Sequence, residues 1–185
     1  MKTIIKKAKI KDGCLIVELT EIIDTKDGTI YNDVVKTCGS VVHQDLQNAF
    51  DGLKLHLVKI CDLRFADVID RNEIGDFDMS LLNEYTITGF SIGGHDENEG
   101  VTIVGNKKLK SGKVLNICAP FTKFWDEFAP YELETFLRES VDNCIDEVGK
   151  YLTGKSAVTQ TEMDFNSIIE PLKNLKKMGV TVTAY

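Results

Sequence analysis

The hydrophobic period switches along this chain, and the switch confines it to a fold with both sheet and helix. Through the first forty residues the chain reads as strands, β-rich runs separated by turns. Ile4, Ile5, Ala8 and Ile10 lead into a turn at Asp12-Gly13. Residues 14–23 are a β-rich run, Asp27-Gly28 supplies a hairpin turn, and residues 29–42 return as a third strand. Near His43 the period becomes helical. Leu46, Phe50, Leu53, Leu57 and Ile60 are spaced 4, 3, 4 and 3, one face of an amphipathic helix. Asp45 falls in its first turn, where the helix dipole favours a negative charge. Gly52 inside it costs about 1 kcal/mol against Ala and weakens its continuity.

The outline then repeats. Residues 62–84 are acidic, with seven carboxylates against Arg64 and Arg71, and read as a linker with short helical turns. Strands are expected at 85–92, 101–104 and 114–118, with a loop at 93–100 and a turn at Ser111-Gly112. After Pro130 comes the clearest helix. Its stripe is Leu133, Phe136, Leu137, Val141, Cys144, Ile145, Val148 and Leu152, and Gly154 suits its C-terminal cap. The tail from 155 to 185 reads as a connector, a short helix around 167–178 with Pro171 near its start, and a last strand at 180–183. The expected class is α+β: an antiparallel β-sheet with two long amphipathic helices on one face. The chain reads as a single domain over 1–185, with β-β-β-α units at 1–61 and 85–154 in tandem.

The chain has 185 residues, of which 43% are apolar and 28% charged. A chain of this length buries roughly 70% of its unfolded surface and needs no disulfide or metal to fold. No apolar run is long enough to span a membrane, and the lysine-interrupted start is not a signal peptide. The five cysteines (Cys14, Cys38, Cys61, Cys118 and Cys144) are widely spaced, giving neither a CxxC metal pair nor a disulfide frame. They read as small buried hydrophobes in a reducing cytoplasm, with Cys38, five residues before His43, the one pairing that could make a catalytic thiol.

Few motifs carry chemistry. Residues 149–156, Gly-Lys-Tyr-Leu-Thr-Gly-Lys-Ser, match the phosphate-loop pattern letter by letter. That mechanism needs a strand before the loop and a helix after it; here a helix precedes, so Gly154 reads as a helix stop. The loop His95, Asp96, Glu97, Asn98 and Glu99 clusters possible metal ligands, although an exposed acidic hairpin tip is the simpler account. Asp76 and Asp78 form a weaker acidic pair. No HExxH, GxSxG or GxGxxG occurs, and only His43, His56 and His95 could act as general bases.

The net charge is −7, yet from Gly105 to Lys123 there are five lysines and no acid. Lys107, Lys108, Lys110, Lys113 and Lys123 could neutralise phosphates. Asn116, Phe121, Thr122, Phe124 and Trp125 follow in the same stretch, and its rings could stack on a base. The competing account is a hairpin edge guarded by lysine with its aromatics in the core.

Three stretches, 42–57, 100–116 and 151–160, together resemble a family of small uncharacterised proteins encoded by bacteriophages and prophages. The likeness covers residues 10 to 165. It implies an intracellular protein made during infection of a bacterium and carries no catalytic residues with it. The leading expectation is a cytoplasmic, homo-oligomeric binding protein without cofactor that sequesters a small phosphate-bearing ligand, such as a cyclic nucleotide immune signal. Its ligand-binding residues would be Lys107, Lys108, Lys110, Lys113, Phe121, Thr122, Lys123 and Trp125. The acidic remainder would discourage long nucleic acid. The alternatives are a single-stranded DNA-binding accessory factor of phage replication or recombination, a metal-dependent phosphodiesterase centred on His95, Asp96 and Glu99, and a protein-binding inhibitor using the acidic 62–84 segment.

Overall fold

The computed structural model describes residues 2–26, 28–71 and 74–155. The elements run β1 (Lys2–Lys11), β2 (Cys14–Thr25), β3 (Gly28–Val41), α1 (Gln44–Asp51), α2 (Lys54–Ile60), β4 (Tyr85–Gly93), β5 (Gly100–Lys108), β6 (Val114–Cys118), β7 (Thr122–Lys123) and α3 (Glu134–Leu152). The strands form one antiparallel sheet in the order β3-β2-β1-β4-β5-β6, with β7 beside the start of β5. The α+β class with an antiparallel sheet follows directly from the alternation in the strands.

One face of that alternation makes the core. Leu15, Val17 and Leu19 from β2, Ile87 and Phe90 from β4, and Val101 and Ile103 from β5 point to the same side. They meet Leu46, Phe50 and Leu53 around α1, Leu57 from α2, and Leu137, Val141, Cys144 and Val148 from α3. Phe50 meets Phe90 edge to face with centroids 5.7 Å apart. Each fully buried Leu or Phe contributes roughly 1.5–3 kcal/mol, so this layer dominates the stability. The opposite face carries the polar partners, including Lys7, Lys9, Ser91 and Thr102, and is called the open face below.

The expected pair of long helices needs correction. The stripe from Leu46 to Ile60 is right, but two short helices carry it, and among the described residues only α3, at 19 residues, is long. The break falls at Gly52 and Leu53. The Gly52 N–H is shared between the Asn48 and Ala49 carbonyls, both at 3.2 Å, and Leu53 N–H donates to Phe50 O at 3.0 Å. The chain tightens there, and Leu46, Phe50, Leu53 and Leu57 stay buried across the break.

Residues 62–84 are more than a linker. The short helical turns expected there are present among the described residues as three 3-10 turns, Ala66–Val68, Ile74–Asp76 and Met79–Leu82. Ala66, Ile69 and Leu82 join Leu55, Val58, Tyr85 and Leu133 in a second apolar cluster. The Lys59 ammonium fastens the segment by donating to Ala66 O at 3.3 Å and Ile69 O at 2.9 Å.

At the end of α3, Gly154 takes φ +106, its N–H donates to Tyr151 O, and Lys155 N–H donates to Lys150 O at 3.0 Å. This is a helix-terminating turn that only glycine enters without strain. It accounts for Gly154-Lys155 without a phosphate loop. The expected helix at 167–178 and strand at 180–183 lie outside the described residues, as do Asp27 and Ser156. Among the described residues no helix is long and apolar enough to cross a membrane.

β1 and β4 join the two halves of the sheet by a narrow seam. Only Lys7, Ala8 and Lys9 pair with Ser91, Phe90 and Gly89, between a register shift in β1 after Ile5 and one in β4 after Ile87.

Candidate functional site

The open face over the seam holds a lysine-lined concavity. On a strand, alternate residues share a face, so Lys7, Lys9 and Lys11 line up along β1. A groove of about 260 Å³ lies beside them, lined by Lys7, Lys9, Lys11, Thr88, Gly89, Ser91 and Val104 among others, with no carboxylate in its wall. Lys7 is ion-paired with Glu18 at 3.0 Å across the β1–β2 ladder. Gly89 lets the two strands close up, because a Cβ there would sit 2.6 Å from Ala8 O and 2.9 Å from Lys9 Cβ. Ammonium heads, hydroxyls and bare backbone are the groups that bind phosphate oxygens.

Where the seam ends, β1 and β4 diverge and a cavity of about 610 Å³ opens, lined by Ile4, Lys6, Thr20, Tyr31, Asp33, Ile92, His95, Asp96 and Glu99 among others. Asp33 accepts from Lys6 Nζ at 2.8 Å and Thr20 Oγ1 at 2.6 Å. Those two bonds hold its carboxyl below the usual carboxylate range. Glu99 pairs with Arg138 at 3.2 Å. The metal-ligand candidates of the 95–99 loop therefore border a cavity, but among the described residues no group of three or more His, Cys, Asp or Glu could hold a metal ion.

The five lysines named from sequence are not brought together. Lys123 pairs with Gly100 at the start of β5, whereas Lys107 and Lys108 end that strand. Seven positions at about 3.4 Å each separate Lys107 from Lys123 by roughly 24 Å. Lys107 is committed internally: its ammonium lies 3.0 Å from Glu84, 3.2 Å from Tyr85 Oη and over the Tyr85 ring. The bond to Glu84, then that to Tyr85, raises its pKa. Lys108, Lys110 and Lys113 are exposed around the β5–β6 hairpin tip.

The aromatic partners also divide. Phe124 is buried beneath the Arg138 guanidinium, 4.8 Å from the ring centroid, while Trp125 is exposed. Phe121, 48% exposed, rests on the open face over the facing glycines Gly93 and Gly100. A Cβ on Gly100 would lie 2.8 Å from its Cζ, so the bare pair makes room for the ring. Phe121, Thr122 and Lys123 also line an edge pocket of about 500 Å³ with Lys59, Asp126, Tyr131 and Glu132. Its cations are matched by carboxylates, Lys59 with Glu132 at 3.0 Å and Lys123 with Asp126 at 3.8 Å, so it holds no surplus positive charge.

The remaining nucleophile and base candidates serve structure. Burial raises the Cys38 thiol, which works against a thiolate. His43 caps α1, with Nδ1 accepting from Asp45 N–H at 3.2 Å. His56 is buried between Tyr131 Oη at 3.1 Å and Ser140 Oγ at 3.4 Å, and burial pushes its pKa down to about 4. Asp78 caps a 3-10 turn through Ser80 N–H at 2.9 Å.

Lys7, Lys9 and Lys11 were missed as a site by sequence reasoning, although their signal was present: lysines at a spacing of two inside a strand pattern. No family model, curated protein or solved structure matches this chain.

Proposed function

We propose that this protein binds, without turning over, a small phosphate-bearing ligand of the cyclic-nucleotide class, in the lysine groove of the open face. The observation that carries this reading is a wall with Lys7, Lys9 and Lys11 and no carboxylate, in a chain whose net charge is −7. Lysines there meet phosphate oxygens, Thr88 and Ser91 hydroxyls fix orientation, and Phe121 farther along the same face offers a surface for a base. At about 260 Å³ the groove falls just below the usual range of ligand pockets, so it would hold a phosphate-bearing part of the ligand and leave the rest along the face. The resemblance to phage-encoded proteins suggests the setting: sequestration of a nucleotide signal of antiviral defence.

Calorimetry and thermal shift with cyclic di- and oligonucleotides, ADP-ribose isomers and inorganic phosphate test this reading. Binding should be lost in Lys9→Glu with the fold retained by circular dichroism. Absence of any stabilisation at millimolar ligand, or binding untouched by Lys9→Glu, rejects it.

A second reading, single-stranded DNA binding, is favoured by one observation: Phe121 shares the open face with the lysine row. Steep salt dependence and affinity that grows with oligonucleotide length would select it.

A further inference from the structure

The two edges of the sheet are built differently. β6 has five residues, Lys110 and Lys113 stand exposed at its hairpin tip, and Pro120 follows its end. A short strand, exposed lysines and proline are the devices by which proteins blunt an edge.

β3 has neither the shortness nor the proline, and its one exposed lysine is ion-paired. It runs for 14 residues without proline, and its outer edge has no partner strand among the described residues. Only Val34 and Cys38 along it are even half-buried. Its two charges are already neutralised within the chain, Asp33 by Lys6 and Lys36 by Glu21, each at 2.8 Å. Tyr31 and Val35, 67% and 65% exposed, flank Asp33 on the open face. The edge is long and without a free charge to repel a partner.

We propose that β3 pairs antiparallel with β3 of a second copy of this chain, about a two-fold axis through Val35. An antiparallel edge complements itself, because each outward N–H meets a carbonyl of the other copy. Opposed residues in a ladder share a face, so an axis passing through a residue keeps the open faces of both copies on one side. The charge pattern excludes two registers. An axis at Asp33 would oppose two carboxylates, and one at Lys36 two ammoniums. The axis at Val35 sets Val35 against itself, Asp33 opposite Thr37 of the second copy, and Val34 against the aliphatic stem of Lys36. Two lysine grooves then lie on the same side of one continuous sheet.

Sedimentation equilibrium of the full chain tests the pairing, together with hydrogen exchange of the β3 amides at low and high concentration. The expected result is a reversible dimer whose β3 amides gain protection as concentration rises. Val35→Lys, which places like charges on the axis, should weaken it at least tenfold, while Val114→Lys on the opposite edge leaves it unchanged. A chain monomeric throughout, a dimer indifferent to Val35→Lys, or β3 amides equally protected at every concentration would each overturn the proposal. The last outcome would mean that residues of the same chain cover the edge. The exchange arm reads on the wild type, so it stands even where Val35→Lys disturbs folding.

Discussion

Gly89 tolerates no side chain. Its hypothetical Cβ meets backbone of β1 at 2.6 Å, and backbone in a ladder cannot move aside as a flexible side chain can. Gly89→Ala should force the seam apart and cost about 2 kcal/mol or more, read as a lower urea midpoint. His56 makes a different prediction. An unfolded histidine titrates near pH 6.5, whereas the folded one is pushed down to about 4 by burial. Between those values the unfolded chain binds a proton that the native chain does not, so stability is full above pH 6.5 and is lost as pH falls toward 4. The loss is roughly 3 kcal/mol, and replacing the ring by a group that does not titrate, as in His56→Asn, should flatten this part of the Tm-versus-pH curve.

α3 closes on a glycine that a Cβ would strain. Gly154→Ala should cost about 1 kcal/mol and lower Tm by a few degrees, with no change in the groove on the far face of the sheet. The strands were legible because alternation is local: Leu15, Val17 and Leu19 announce a buried face by themselves. The break between α1 and α2 was only half legible. Gly52 was visible, but its sequence context does not show that the chain tightens at Leu53 while Phe50 and Leu57 both stay in the core. Register shifts leave no mark in composition, so the seam was hidden. The lysine ribbon misled for a geometric reason: the β5–β6 hairpin folds the chain back along β5 and carries Lys123 to the opposite end from Lys107. Proximity in sequence became distance in space.

Taken whole, the chain is an anion with a lysine-lined groove on its open face. A polyanion must bring its phosphates past acidic surface elsewhere, whereas a short ligand meets only the lysines it touches. With three lysines in the wall, log K against log salt should have a slope no steeper than about −3, measured by calorimetry at several ionic strengths. A steeper slope would transfer the weight to the single-stranded DNA reading.

The narrowness of the β1–β4 join has a mechanical corollary. Three residue pairs are few rungs to hold two halves of a sheet, and the groove spans that join with Lys7 and Lys9 on one bank and Ser91 on the other. An occupant bonded to both banks would act as a rivet, and slower amide exchange at Gly89 and Ser91 would register its arrival.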